Sequence, residues 1–207
     1  MSESSGRDGI RGTIDADSIA GWTEPVSPTF FDFPSSGAVH PGQIVMVGVP
    51  FDGLSTERAG SAEAPRVLRL WTTKVGVHSV RDERTHDRRA AAGIDAGDVI
   101  VDRFKPASNF ERIVGCVREV AEQGGIPLLV GGDHSITYPA VSAMAARVPG
   151  LRLVQIDAHH DATDPEEWAC RYNHGTFIRN LIQDGALHGE HVVQIGVRDF
   201  QWSASGA

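Results

Sequence analysis

The sequence predicts an α/β protein in which a mainly parallel sheet lies between two layers of helices. From residue 43 to residue 197, short apolar runs alternate with stretches of helical periodicity. The runs are apolar throughout rather than at every second position, which is typical of parallel strands buried on both faces. In such sheets ligands bind beyond the carboxyl ends of the strands, so functional residues are expected at that edge.

The first half of this region contains two predicted strands and two predicted helices. Residues 43–50 (QIVMVGVP) form a β-branched run closed by Gly and Pro, and residues 62–72 predict a short helix that opens near Pro65. Residues 93–101 (GIDAGDVIV) are a weaker strand candidate. Residues 109–125 predict a helix, because apolar residues recur at helical spacing until a Gly-Gly pair ends it.

The second half continues the alternation. Residues 126–132 (IPLLVGG) predict a buried strand, and residues 136–148 predict a helix. Residues 151–158 (LRLVQIDA) predict a further strand, residues 175–187 a helix, and residues 191–197 (HVVQIGV) a last strand. The regular alternation of strand and helix favours a single α/β domain over the whole region.

The first 40 residues differ from the rest of the chain. They are rich in Ser, Gly, Pro and Asp, and their few large apolar residues follow no period. We therefore interpret residues 1–40 as a loosely packed N-terminal arm outside the core, and residues 41–207 as the folded domain. The aromatic cluster FFDF at residues 30–33 is the part of the arm suited to dock on the body or on a neighbouring subunit.

The composition is that of an acidic globular chain. Its 207 residues include 19 Lys and Arg against 27 Asp and Glu, a formal net charge of −8, which argues against a general nucleic-acid binder. No apolar run approaches the ~20 residues that span a bilayer, and the N-terminus lacks the apolar core of a secretory signal. The two cysteines make neither a disulfide framework nor a metal clip. We expect a cytoplasmic protein that binds neither nucleic acid nor membrane.

Two strand ends carry most of the chemically reactive residues. GGDHS, which contains Asp133 and His134, follows one predicted strand, and DAHHD follows the next. Asp157, His159 and Asp161 are spaced two residues apart, so on an extended segment they would project to one side. With His134 at the tip of the neighbouring strand, two imidazoles and two carboxylates would converge on one point.

This set of donors predicts a metal site. Mixed nitrogen and oxygen ligands suit Mn²⁺, Zn²⁺, Fe²⁺ or Ni²⁺, whereas the absence of thiolate argues against structural zinc. The alternative is that Asp133 and Ser135 cap the next helix while Asp157 and Asp161 shape a loop. Carboxylates crowded at a strand end repel one another unless a cation neutralises them, which favours the metal.

The two motifs also resemble those of a known family. VGGDHSIT together with QIDAHHD resembles the arginase/agmatinase (ureohydrolase) family, whose signatures are GGDHS and DAHxD. Further segments match in the same order, namely GVPFD (48–52), RAGSAEAPRVLR (58–69), DAGDV (95–99), HGT (174–176) and VVQIGVR (192–198). The family's GP in the second of these is here Ala64-Pro65, a local change at a turn. HGT and the loop GVPFDGLST resemble agmatinases more than arginases.

The resemblance implies a fold, a metal centre and a ligand set. The fold is a three-layer α/β/α sandwich, and the centre holds two Mn²⁺ ions, with Ni²⁺ or Fe²⁺ as alternatives. His134 and Asp161 would bind one metal and His159 the other, with Asp157 bridging them. In the family's reaction, a hydroxide shared by the two metals attacks a guanidinium carbon, and urea leaves.

The resemblance further implies roles for two residues beside the metals. Asp133 would lie behind the ligands, and His174, in YNHGT, would contact the substrate or shuttle a proton. Guanidinium is a poor electrophile that water at neutral pH hardly attacks, and two metals roughly 3.5–4 Å apart can activate a shared water. The departing amine needs a proton, which a histidine can supply. An acidic site would also attract a cationic guanidine.

One family signature is missing. A third metal motif, of the type S-x-D-x-D-x-x-D-P, would follow residue 198, and no D-x-D lies between Asp161 and Ala207. We therefore expect residues 41–207 to be a partial catalytic domain, incomplete at its C-terminus. In the family's sheet the seventh and eighth strands lie between the third and fourth, so a gap with exposed apolar strand faces is expected there. We expect the chain alone to be poorly stable, poorly metallated or reliant on a partner segment.

The predicted function is metal-dependent hydrolysis of a small cationic guanidino compound to urea and an amine. Agmatine, a guanidino acid and a guanidino group on a larger molecule remain open as substrates. A two-metal phosphoesterase is a weaker alternative, because in that class D-x-H precedes a GNH motif that is absent here. A different alternative is a truncated, non-catalytic relic that associates with an intact homologue. The family usually forms trimers or hexamers, so a homo-oligomer is expected.

Overall fold

The computed structural model describes residue 19 and residues 21–56, 58–81, 83–86, 93–167 and 170–199 of the chain. The strands are β1 (Thr23–Glu24), β2 (Ile44–Val49), β3 (Val77–Ser79), β4 (Arg84–His86), β5 (Gly93–Val99), β6 (Ile126–Gly131), β7 (Leu153–Ile156) and β8 (Val192–Ile195). The helices are α1 (Ala64–Thr72), α2 (Pro106–Glu122), α3 (Thr137–Ala145) and α4 (Phe177–Gln183). Short 3₁₀ turns lie at Phe30–Asp32, Ser61–Glu63, His134–Ile136, Pro165–Glu167 and Gly189–His191. Every strand and helix predicted from the sequence is present, whereas the sequence pattern does not predict β1, β3 or β4.

The main sheet has the strand order β1-β5-β2-β6. Strands β5, β2 and β6 are parallel, and β1 is antiparallel to β5. The central strand β2 pairs on both sides, with Val45 opposite Ile94 of β5 and Pro127 of β6. A strand buried on both faces is expected to be apolar throughout. The residues of β2 that are almost completely buried are Val45, Met46, Val47 and Val49.

Helices cover both faces of this sheet. The odd-numbered residues of β2 join a core cluster with the apolar side of α2, which consists of Ile113, Cys116, Val117 and Val120. On the opposite face Gly48 lets α1 approach closely, because a Cβ there would lie 1.8 Å from Oδ1 of Asp98 and 2.9 Å from Cβ of Pro65. This arrangement confirms the three-layer α/β/α prediction. Among the described helices, none is long and apolar enough to cross a membrane.

The last two strands form a sheet of their own. β7 and β8 are parallel, with Gln155 opposite Gln194, and α4 packs against them. No strand in the described residues joins β6 to β7. Apolar side chains of the small sheet are open to solvent, with Val154 59%, Ile156 81% and Val193 52% exposed. The expected interruption of the sheet between the strands that end in GGDHS and DAHHD is confirmed for this part of the chain.

The described part of the first 40 residues packs more closely than predicted. Ile19 and Val39 belong to the main core cluster, and β1 adds an edge strand to the sheet. In the FFDF segment, the buried ring of Phe33 covers Gly93, and the backbone N–H of Phe30 donates to Oδ2 of Asp95 at 2.7 Å. The interpretation as a loosely packed segment outside the core is therefore wrong from Ile19 onward. The division at residue 40 stays a prediction.

The phenol of Tyr138 links helix α3 to the end of helix α4. The Oη of Tyr138 in α3 donates to Oδ2 of Asp184, just after α4, at 2.6 Å. Burial and then this hydrogen bond raise the pKa of the Tyr138 phenol well above its ordinary value. Above about pH 10 the unfolded chain would release this proton while the folded chain keeps it, so stability falls as the pH rises.

Replacing Tyr138 with Phe is expected to lower the free energy of unfolding by about 0.5–1 kcal/mol at neutral pH. The difference between the two proteins should shrink at about pH 10.5, because only the unaltered chain loses stability through this phenol. Chemical denaturation of both proteins at the two pH values measures the effect. Equal losses in both proteins would contradict it.

Candidate metal centre

Backbone contacts at the end of β6 fix the directions of the Asp133 and His134 side chains. Only glycine fits at position 132, since a Cβ there would lie 2.1 Å from the carbonyl oxygen of Phe51. The Asp133 backbone N–H donates to that same oxygen at 2.9 Å. Asp133 Oδ1 then accepts from the Ser135 backbone N–H at 2.9 Å, which begins the 3₁₀ turn and sets the direction of His134.

Asp133 connects this turn to a second loop. Its Oδ2 accepts from the backbone N–H of Leu54 at 3.0 Å, and its side chain is buried. The helix-capping role weighed as an alternative is therefore present, but the same carboxylate also holds the loop that follows β2. The role beside the metals expected for Asp133 stays a prediction.

Three of the predicted ligands come together beyond the strand ends. The Nδ1 of His134 lies 2.8 Å from Oδ2 of Asp161 and 3.2 Å from Oδ2 of Asp157. Ligand atoms from these three residues all lie within 4.8 Å of one another. One imidazole nitrogen and two carboxylates at this spacing are a donor set that fits Mn²⁺ or a similar divalent ion.

His159 lies beside this cluster rather than in it. Its Nδ1 is 3.5 Å from Oδ1 of Asp157, and its side chain is 66% exposed. Asp157 thus contacts both imidazoles, one through each carboxylate oxygen. The roles of Asp157 as a bridging ligand and of His159 as a ligand of a second ion stay predictions.

Contrary to the prediction from the sequence, Asp157 and Asp161 do not converge from an extended strand. Strand β7 ends at Ile156, and the backbone turns after it, so that Asp161 has a φ of +48°. The backbone N–H of His159 donates to Oδ1 of Asp157 at 3.0 Å within this turn. A turn therefore brings Asp157 and Asp161 together, and the alternation argument is wrong for these residues.

The electrostatics of the cluster favour positive charge at its centre. Burial by itself would lower the pKa of His134, but the hydrogen bond to Asp161 and the charges of Asp161, Asp157 and Asp133 outweigh it and raise that pKa. Burial would raise the pKa of Asp157, but the His159 backbone N–H and the charge on His134 outweigh it and lower that pKa. The raised pKa of His134 follows from the three carboxylates around it, which favour a positive charge at this position.

His174 reaches the same region through a different loop. The backbone N–H of Thr56 donates to Nδ1 of His174 at 3.3 Å, and Thr56 Oγ1 lies 3.1 Å from Nε2. Because Nδ1 accepts a hydrogen bond, the neutral ring carries its proton on Nε2. Thr56 belongs to the loop that Asp133 holds at Leu54, so this loop connects His174 to the end of β6.

A sequence profile described as the Arginase family matches residues 42–205. The chain belongs to the Arginase family. Its GGDHS and DAHHD motifs thus lie within the matched region.

Relatives within the Arginase family have names that describe related reactions. Guanidinopropionase of Pseudomonas aeruginosa is 36% identical over 177 residues, which cover 85% of this chain and 55% of that protein. The mitochondrial agmatinase of Gallus gallus is 35% identical over 158 residues, covering 73% of this chain and 44% of that one. The chain spans about half the length of these relatives.

Solved structures of the Arginase family agree with the fold. Proclavaminate amidino hydrolase from Streptomyces clavuligerus has a TM-score of 0.74 at 26% identity and covers 86% of this chain and 59% of that one. Trypanosoma cruzi formiminoglutamase, solved with Mn²⁺, has a TM-score of 0.69 at 25% identity, covering 86% and 60% of the two chains.

Several residues near the cluster are not singled out by the sequence analysis. They are Thr56, Gln155, Gln194 and Asp199. Both glutamines interrupt apolar strands, and Gln155 is buried, so its position in β7 is a visible signal for buried hydrogen bonding. Asp199 accepts from the His160 backbone N–H at 3.2 Å, a contact across the small sheet that no local pattern indicates.

Proposed function

We propose that this chain forms part of an agmatinase-like amidinohydrolase, which hydrolyses a linear guanidino compound to urea and an amine with bound Mn²⁺. The observation that carries the proposal is the cluster of His134, Asp157 and Asp161 between the ends of β6 and β7. Relatives named guanidinopropionase and agmatinase support the guanidino class of substrate. Proclavaminate amidino hydrolase, among the solved structures, is named for a reaction of the same type.

The proposal assigns the metal ligands to two loops. His134 and Asp161 would hold one ion, His159 the other, and Asp157 both. When bound, the ions would supply an activated water and stabilise the charge that develops during attack on the guanidinium carbon. Asp133 would keep the loop from β2 close to this centre through Leu54.

His174 is proposed as the group that handles the proton of the departing amine. An amine leaves a tetrahedral carbon readily only when its nitrogen is protonated, and an imidazole can transfer a proton at neutral pH. In this role the protonated ring would give one ring proton to the departing nitrogen and return to the neutral form, in which the Thr56 backbone N–H donates to Nδ1. This role needs no metal contact from His174.

The acidic character of the centre accounts for a cationic substrate. Asp133, Asp157 and Asp161 lie around His134, and each raises the pKa of that imidazole. The same field attracts a guanidinium group toward the cluster. The candidate substrates differ at the end away from the guanidinium. Agmatine carries an amine there, whereas a guanidino acid carries a carboxylate.

The proposed function is tested by urea release. The chain, together with a C-terminal segment that carries the third metal motif and loaded with Mn²⁺, is assayed with agmatine, 4-guanidinobutyrate, 3-guanidinopropionate and arginine, and with formiminoglutamate followed through formamide. We expect urea from at least one guanidine, and none after treatment with a chelator. Tight Mn²⁺ binding without product from any substrate would overturn the hydrolase and favour the alternative of a non-catalytic partner of an intact homologue.

A further inference from the structure

Two glutamines occupy the same register on the strands of the small sheet. Gln155 of β7 lies opposite Gln194 of β8, and Gln194 Nε2 donates to Gln155 Oε1 at 2.6 Å. The Gln155 residue is 5% exposed. A buried amide between two apolar strands must find hydrogen-bond partners, and both glutamines find theirs in the loop that follows β7.

Gln194 donates to Gln155, and Gln155 in turn donates to the loop that follows β7. Because the carbonyl of Gln155 accepts from Gln194, its NH₂ group faces the loop, where it donates to Oδ2 of Asp161 at 3.0 Å and to the His159 carbonyl at 3.3 Å. Gln194 Nε2 also donates to the carbonyl of His160. Two side-chain amides therefore bind three consecutive residues of the loop.

The loop needs such support at one residue in particular. Asp161 is not glycine, yet its φ of +48° lies in the left-handed region, which a side chain makes unfavourable. Such a conformation persists when surrounding contacts define it. Here the Gln155 amide holds the Asp161 side chain, and the backbone N–H of Ile178 in α4 donates to the Asp161 carbonyl at 3.0 Å.

We propose that Gln155 is a positioning residue, which fixes the Asp161 carboxylate for metal binding, and that Gln194 fixes the orientation of the Gln155 amide. The oxygen of Asp161 that accepts from Gln155 is the one that lies 2.8 Å from Nδ1 of His134. Holding this oxygen defines the rotation of the carboxylate relative to the imidazole. The inference rests on the proposed metal centre, because it concerns how a ligand is oriented.

The inference is tested first by Mn²⁺ titration of the full chain. Replacing Gln155 with Met keeps the length of the side chain and removes both donors, so we expect Mn²⁺ affinity to fall by about 10–100-fold. Replacing Gln194 with Met should lower the affinity less, because Gln155 then keeps its donors but loses its fixed orientation. Gln123→Met is the matched control, since Gln123 is similarly buried, at 8% exposure, and lies on the distant end of α2.

A double-mutant cycle distinguishes a positioning role of Gln155 from a role in packing alone. In the Asp161→Asn background, Gln155→Met should weaken Mn²⁺ binding no further, because its effect acts through that carboxylate. An equal additional loss in this background would overturn the positioning role. Unchanged affinity in Gln155→Met, or an equal loss in Gln123→Met, would also overturn it.

A metal-free measurement separates this inference from the metal proposal. In ¹⁵N-labelled protein without added metal, the side-chain amide protons of Gln155, which is 5% exposed, should exchange slowly with solvent. The Gln155 resonances should shift in Asp161→Asn and in Gln194→Met. Absence of Mn²⁺ binding in the presence of a C-terminal segment that carries the third metal motif would overturn the metal centre, whereas fast exchange of the Gln155 amide protons would overturn the glutamine pair by itself.

Discussion

Replacing Asp157 with Asn is expected to lower the rate of urea formation by at least ~10³-fold, because metal stabilisation of the transition state is worth several kcal/mol and each 1.4 kcal/mol is tenfold in rate. Asp157 contacts His134 through one carboxylate oxygen and His159 through the other. Its loss would therefore weaken binding of both proposed ions. The measurement is the rate of urea release together with the Mn²⁺ content per chain.

A neighbouring aspartate provides the control for this substitution. Asp164 lies in the same loop and accepts from the backbone N–H of Glu166 at 3.0 Å, outside the cluster. Asp164→Asn removes the same charge, so it should leave the Mn²⁺ content unchanged. If Asp157→Asn kept the full Mn²⁺ content, Asp157 would not be a ligand, and the bridging role would be contradicted.

The position of the centre follows from the sequence because it depends on local signals. A strand is recognised by its apolar run, and GGDHS and DAHHD are the residues that follow two such runs. Parallel strands end at one edge of a sheet, so His134 and Asp157 could be assigned to the same site without knowledge of side-chain directions. The separation of β7 and β8 from the main sheet was also predictable, although from the family resemblance rather than from the residues.

The contacts that refine the centre join residues far apart in the chain. Thr56 and His174 are 118 residues apart, and Gln155 and Gln194 are 39 apart. Their meeting depends on strand register and loop path, which apolar periodicity does not specify. For the same reason the periodicity of β7 could not reveal where the strand stops, so the turn that gives Asp161 its positive φ was not foreseen.

The first 40 residues illustrate a different limit. Ile19, Phe33 and Val39 have no regular spacing, so no amphipathic element is indicated around them. Each is buried by tertiary contact with the sheet or with α2 and its flanks, rather than through a helix or strand of its own. Scattered apolar residues in a Gly- and Pro-rich segment can thus belong to a core, and composition alone does not exclude it.

Arg69 is expected to be the residue whose replacement most destabilises the fold. Its side chain is 2% exposed, and its guanidinium binds Asp95 with two nitrogens, at 2.8 and 2.9 Å, and Asp98 with the third, at 2.6 Å. Burial would lower the pKa of Arg69, but these ion pairs outweigh it and raise that pKa. The residue joins α1 to β5, and Asp95 in turn holds the Phe30 backbone N–H.

Replacing Arg69 with Met should lower the free energy of unfolding by about 3–5 kcal/mol, because the completely buried Asp95 would be left without its cation. That is a large part of the ~5–15 kcal/mol typical of a folded domain. The matched control is Arg66→Met on the same helix. Arg66 pairs with Glu63 at 2.7 Å at the surface, where an ion pair contributes about 0–1 kcal/mol. Chemical denaturation of the three proteins measures the effect.

A double substitution keeps this expectation testable if Arg69→Met does not fold. Adding Asp95→Asn removes the buried charge, so the double variant should be more stable than Arg69→Met alone, even though Asp95→Asn by itself breaks the same ion pair. Such recovery requires that the unpaired carboxylate, rather than the lost volume of the arginine, is what destabilises the protein. If the double variant were no more stable than Arg69→Met, the packing of Arg69 between Met46 and β5 would be the larger contribution.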